Sequence, residues 1–187
     1  MKKRFFLKGK EIKIEDIVDV FETQTVNDKN AFDFIKEKKP DVLIDFGTRK
    51  VSPHIIDICP DSIINLHGGD PEKYRGLDSH LWAIYHNDFE SLVTSLHLLN
   101  VELDDGHVIL QAKLPLNKDV KFFMLRKVNT DICIELTLSA LDMYKRYNRF
   151  ISRPQRSKGR YYSFMPSCLK EICLKKYNYY INQKLST

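Results

Sequence analysis

Asn65-Leu66-His67 puts a neutral amide and an imidazole two residues apart, in an apolar run, SIINLH, that ends on two glycines. If that run is a strand, alternation sets both side chains on one face. An amide donor beside an imidazole can steady a developing oxyanion and move a proton. The same two residues can also satisfy backbone groups where a strand stops, and the tripeptide alone favours that plainer reading. Leu103-Asp104-Asp105-Gly106 offers a carboxylate that could fix the His67 tautomer and stabilise its cation. Asp-Gly pairs also make hairpin turns with no chemical duty. In Ser95-Leu96-His97, a strand histidine fits a hydrogen-bonded core residue better than a ligand. The six histidines follow no HExxH or HxxxH spacing, and no cysteine stands beside one, so the pattern of a metal site is missing.

These groups need a frame, and the surrounding pattern supplies one. A helix is expected over 28–38, stopped by Pro40, and DVLIDFG then reads as a buried strand. Ser52-Pro53 opens a short helix through Cys59, and SIINLH is the next strand. That strand–helix–strand order implies a parallel sheet covered by helices, with ligands at the carboxyl ends of its strands. GGDPEKYRG reads as a loop, and Asp78 or Ser79 caps a helix to about Asn87 that turns Leu81, Ile84 and Tyr85 inward. SLVTSLHLLNVEL and HVILQAKLPL are strands joined at the Asp104-Asp105-Gly106 turn. A helix over 129–148, a linker-like SRPQRSKG, an extended YYSFMP and a helix over 167–184 complete the chain. That last helix is expected to bury Leu169, Ile172, Cys173, Tyr177, Tyr180 and Ile181. Residues 1–25 resolve into no clear element.

The 187 residues, 43% hydrophobic and 29% charged, suit one α/β domain with a core of about 20–148 and a closing loop and helix over 149–187. MKKRFF has the charge of a signal peptide, but Lys8, Lys10, Glu11 and Lys13 interrupt any apolar segment behind it. With no run of membrane-spanning length, a cytoplasmic protein without a membrane partner is expected. The four cysteines, Cys59, Cys133, Cys168 and Cys173, then read as small core residues. From Lys145 onward eleven Lys or Arg residues face the single acid Glu171. A solvated face of an amphipathic helix accounts for them better than a nucleic-acid surface.

Taken together, INLHGGDPEKYRGLDSHLWAIYHND and VTSLHLLNVELDDGHVILQ resemble the folate-dependent formyltransferases. That family includes glycinamide ribonucleotide formyltransferase, the catalytic domain of methionyl-tRNA formyltransferase and the sugar N-formyltransferases. Asn-x-His, a Tyr-x-Gly-like turn, Thr-Ser-x-His and Leu-Asp-x-Gly occur in the family's order, over roughly residues 25–115. PDVLIDFGTRKVSPHIID is similar to the strand and loop that precede the family's Ser-Pro helix.

The resemblance implies an open, mostly parallel Rossmann-like sheet with helices on both faces and a β-hairpin. It implies an enzyme that moves a formyl group from 10-formyltetrahydrofolate to a primary amine, with no metal. Asn65, His67 and Asp104 would be catalytic. Thr48, Arg49, Lys50, Val51, Asn100, Val101, Glu102 and Leu103 would hold the pterin, largely through backbone groups. Gly68, Gly69, Tyr74 and Arg75 would meet the acceptor. Relative to the family pattern the domain is expected to be N-terminally shortened, either as a natural variant or because the sequence begins late, and so to lack the loop that cradles the acceptor's phosphate in the ribonucleotide enzyme. Gly68-Gly69-Asp70 is closer to the sugar enzymes, and nothing after residue 120 matches the β-barrel of the tRNA enzyme. A nucleotide-linked amino sugar is therefore the expected acceptor. Other readings are another amine, a module that binds folate or nucleotide without turnover, and an RNA-binding protein using the basic tail. Tyr161, Tyr162 and Phe164 could stack on a base, pack a homodimer interface or plug the core.

Overall fold

The computed structural model describes residues 4–7 and 10–184, with side chains from Lys13 to Gln183. The basic start, residues 1–3, lies outside the described residues. Contacts divide the chain into two compact units, Met1–Lys39 and Pro40–Thr187.

In the first unit, β1 (Arg4–Leu7) and β2 (Lys10–Lys13) form an antiparallel pair, which the charged start gave no ground to expect. Helix α1 (Lys29–Lys38) matches the expected 28–38. The Asp28 carboxylate accepts from the Ala31 N–H at 2.7 Å, satisfying one of the donors a helix start leaves open. Lys39 leaves the helix in the left-handed region, φ 45°, ahead of Pro40. Within the same unit Phe21 stacks on Phe34 with ring centres 5.1 Å apart.

The second unit holds a four-stranded sheet ordered β3-β4-β6-β7, from β3 (Leu43–Asp45), β4 (Ile63–His67), β6 (Val93–Leu98) and β7 (Val108–Lys113). Strands β3 and β4 are parallel and enclose the short α2 (Pro53–Ile56), as the strand–helix–strand pattern required. The α/β reading holds, and the sheet is mixed: β4 with β6 and β6 with β7 pair antiparallel. Helix α2 stops at Ile56 rather than Cys59, because the chain turns through Cys59 and the Ser62 N–H bonds back to its carbonyl. The loop GGDPEKYRG contains a strand, β5 (Tyr74–Gly76), and YYSFMP contains another, β8 (Arg160–Tyr162). These two pair in parallel. The β6–β7 hairpin is as expected, but the tight turn is not. The strands end at Leu98 and restart at Val108, so Asp104-Asp105-Gly106 lies inside a longer connection.

Helix α3 (Ser79–Tyr85) buries Ala83 and Ile84. Asp78 does not cap it through its side chain; its carboxylate accepts instead from the Met165 N–H at 3.0 Å. Helix α4 (Leu125–Tyr147) starts earlier than expected and packs Ile132, Leu136 and Ala140 into a core shared with Ile64 and Leu96 of the sheet. Helix α5 (Ser167–Lys184) packs on α3 and buries Cys173, Tyr177 and Ile181. Ile172, expected inside, is 39% exposed, since α5 turns only one face inward. Cys168 is exposed as well, whereas Cys59, Cys133 and Cys173 are core residues. Burial pushes those three thiols up, Cys133 to about 11, so none is a ready nucleophile. Among the described residues no helix is long and apolar enough to cross a membrane.

Candidate active site

Strand β4 delivers two side chains to one end of the sheet. Asn65 lies level with Asp45 on one neighbour and His97 on the other, and His67 lies level with Ser95. Asn65 and His67 both line a cavity of about 410 Å³, as alternation along the strand demands. Asp104 reaches the same cavity from the β6–β7 connection, with its backbone at φ 50°.

His67 is only 6% exposed. Its Nε2 lies 2.8 Å from the Tyr74 carbonyl oxygen, which can only accept, so Nε2 carries a proton. Its Nδ1 faces Asp104 Oδ1 at 3.5 Å. Burial holds this imidazole below the ordinary histidine value, against the pull of the Asp104 charge. The resting ring is thus neutral, and the next proton it takes arrives on Nδ1 beside a carboxylate.

Asp104 is 7% exposed and accepts from the Gly76 N–H at 2.7 Å through Oδ2. Burial alone would push its carboxyl up. The contact with His97, the neighbouring His67 ring and the Gly76 N–H outweigh burial and hold it at about 2. Asp104 is therefore ionised across the physiological range.

His97, expected as a hydrogen-bonded core residue, is buried and hydrogen-bonded, and one of its partners is Asn65, expected to be catalytic. Its Nδ1–H donates to the Leu98 carbonyl at 2.8 Å, which leaves Nε2 as an acceptor for the Asn65 amide at 3.0 Å. The other amide hydrogen of Asn65 meets Asp104 at a weak 3.4 Å. That second hydrogen is the one most cheaply released to a developing oxyanion. No sequence signal linked His97 to Asn65, because the pairing exists only in the β4–β6 register.

The expected pterin loops flank this trio. Thr48, Arg49, Lys50 and Val51 line one side of the cavity, and Asn100, Glu102 and Leu103 another. Val101 is not in the wall; its side chain is 45% exposed. Of the four residues expected at the acceptor, only Gly68 reaches the cavity. Gly69 is a packing position, where a Cβ would sit 2.6 Å from Ser79 Cβ and 3.0 Å from His67 Nε2. Tyr74 works through its carbonyl and its ring is buried. Arg75 is buried too, its guanidinium donating to the Leu103 carbonyl, so it is spent on the loop that carries Asp104.

Sequence reasoning missed several wall residues: Asp45, His80, Phe122, Phe123, Arg126 and Asn129. Burial pushes the Asp45 carboxyl up despite the Thr48 hydroxyl beside it. His80 donates from Nε2 to the Val93 carbonyl at 2.6 Å, and burial pushes it down to about 4, so it too is neutral. Among the described residues no group of three or more His, Cys, Asp or Glu is placed to hold a metal. Of the aromatic segment, Tyr162 packs on Trp82 with ring centres 5.0 Å apart, while Tyr161 and Phe164 stay exposed.

Residues 4–127 match the family described as formyl transferase. The chain belongs to that family. The chain is 28% identical over 147 residues to the methionyl-tRNA formyltransferase of Finegoldia magna, covering 76% of this chain and 45% of that one. It is 34% identical over 100 residues to the phosphoribosylglycinamide formyltransferase of Escherichia coli K12, covering 53% and 47%. It thus spans less than half the length of either relative. Among solved structures it is similar to the formyltransferase PseJ of Anoxybacillus kamchatkensis, in complex with UDP-4,6-dideoxy-4-formamido-L-AltNAc and tetrahydrofolate. The TM-score is 0.56 at 23% identity, over 79% of this chain and 73% of that one, which is a likeness of fold.

Proposed function

We propose that this chain is an N-formyltransferase that moves a formyl group from 10-formyltetrahydrofolate to a primary amine, with a nucleotide-linked amino sugar as acceptor. The observation that carries this reading is the convergence of Asn65, His67 and Asp104 on one cavity, between the loops 47–51 and 99–103. The cavity suits the donor. It is about 410 Å³ in volume, with apolar Val51, Leu99, Phe122 and Leu125 in its wall and two backbone loops that offer N–H and C=O groups to a flat heterocycle.

Transfer forms a carbon–nitrogen bond at the acceptor and breaks one at the donor. One proton must leave the amine, and one must reach the departing nitrogen. His67 is neutral at rest and takes the amine's proton on Nδ1, where ionised Asp104 stabilises the imidazolium, which then gives that proton to the departing nitrogen. Asn65 turns its weakly held amide hydrogen to the oxygen that gains charge. His97 keeps that amide oriented. The sugar acceptor is favoured by the Gly68-Gly69-Asp70 loop and by the ligand bound to PseJ. The relatives named for methionyl-tRNA and phosphoribosylglycinamide favour a second reading, in which one of those amines is the acceptor.

The test is release of tetrahydrofolate from 10-formyltetrahydrofolate in the presence of each amine in turn. Turnover with a nucleotide-linked 4-amino-4,6-dideoxy sugar is expected. Turnover only with methionyl-tRNA or phosphoribosylglycinamide moves the acceptor, and no turnover with any of them contradicts the enzymatic reading.

A further inference from the structure

Three consecutive residues of β5 hold His67, Asp104 and the residue before Asp104. The Tyr74 carbonyl accepts from His67 Nε2–H, the Arg75 guanidinium donates to the Leu103 carbonyl, and the Gly76 N–H donates to Asp104. A three-residue strand fixes little by itself, so whatever holds β5 sets the distance between His67 and Asp104.

The holder is the segment that follows α4, beyond residue 127 where the family match ends. Its strand β8 pairs with β5; at one end the Gly159 and Arg160 N–H groups donate to the Pro71 and Lys73 carbonyls, at 3.2 and 3.0 Å, and at the other the Leu77 N–H donates to the Tyr162 carbonyl at 2.9 Å. Arg153 grips Glu72 with two prongs, 2.9 and 2.8 Å, and that contact, first among several, holds the Glu72 carboxyl below its usual range. The same segment reaches the second catalytic loop. Arg153 exchanges backbone bonds with Val108, and Gln155 Nε2 donates to the carbonyls of both Asp104 and Gly106 at 2.9 Å.

Gln155 makes these two bonds at a cost. Its Oε1 is buried with no hydrogen-bond partner among the described residues, which is unfavourable for a buried oxygen. A segment that merely plugged the core would not need that sacrifice.

We propose that residues Arg153–Met165 form a clamp that sets the His67–Asp104 geometry, with Gln155 and the Glu72–Arg153 pair as positioning residues. The proposal rests on the catalytic reading of His67 and Asp104 above. The segment joins the two loops through backbone hydrogen bonds and the ion pairs of Arg153 with Glu72 and of Lys158 with Glu102 and Asp105.

The test is Gln155→Ala in the full chain, read by turnover, thermal unfolding and NMR titration of the His67 ring. We expect kcat to fall about tenfold, the loss a small misplacement of reacting groups produces. The donor KM and the unfolding temperature should stay at the parent's values. The His67 ring should titrate at a lower pH than in the parent, because a receding Asp104 leaves burial unopposed. Arg153→Lys keeps the charge but not the two-pronged grip, and should fall between the parent and Arg153→Ala. Gln155→Ala with the parent's kcat and the parent's His67 titration overturns the clamp. So does an activity loss that tracks the folded fraction while the titration stays put. If the parent transfers formyl to no amine, the catalytic reading fails and the His67 titration alone decides the clamp.

Discussion

Before any substrate arrives, Nε2 of His67 is hydrogen-bonded to the Tyr74 carbonyl and unprotonated Nδ1 faces Asp104. In the proposed mechanism the ring's proton traffic runs along the Nδ1 side. His67→Ala and Asp104→Asn should each lower kcat by at least ~100-fold, the usual loss on removing a positioned acid–base group, while leaving the protein folded by circular dichroism. Near-normal turnover in either variant contradicts the assignment. The same residues set a pH dependence. His67 must be neutral to accept the proton, and its folded value lies below 6.5, so kcat should hold through neutrality and fall only as pH drops below 6.5. A kcat limb at or above pH 6.5 would mean that another group titrates. Gly106 makes a separate point about backbone. A Cβ there would lie 1.6 Å from the Leu98 carbonyl oxygen, so Gly106→Ala should cost at least ~2 kcal/mol in urea unfolding. Asn65 and His67 were legible in the sequence because one strand's alternation places them. Arg75 was misleading, since an arginine in a glycine-bounded loop resembles a ligand contact, whereas this one is buried against a carbonyl 28 residues away.

The elements divide by how local their causes are. Helix α1 and strand β4 follow from caps, periodicity and flanking Pro or Gly, all within a few residues, and the sequence reading placed them well. Strands β5 and β8 were read as loops because each has only three residues and its partner lies 86 positions away, as in Tyr74 opposite Arg160. No window along the chain contains both. Helix α3 carries a testable consequence of burial. His80 is held neutral against the Val93 carbonyl, with its folded value near 4 and its unfolded value near 6.5. Between those values the unfolded chain binds the extra proton, so stability is full above pH 6.5 and is lost as pH falls toward 4. The slope from this group is about 1.4 kcal/mol per pH unit. His67 adds to it with the same sign. His80→Leu should remove the His80 share, flattening the fall in urea midpoint between pH 6.5 and 4; an unchanged slope contradicts the burial argument.

At the scale of the molecule, the α/β class and the family were visible in the joint order of weak motifs, none of which is decisive alone. The mixed sheet was less visible, because the antiparallel direction of β6 is fixed by pairing with β4 and not by its composition. Function enters at this scale through the cavity, where loops distant in sequence, 47–51 and 99–103, come together around the ends of β4 and β6. The central claim is that this cavity takes a formyl-bearing folate. Titration calorimetry with a stable 10-formyltetrahydrofolate analogue, on the parent and on Arg49→Ala, tests it directly. The account predicts saturable binding at one site per chain that weakens in Arg49→Ala; a folded protein that releases no heat with the analogue would contradict it.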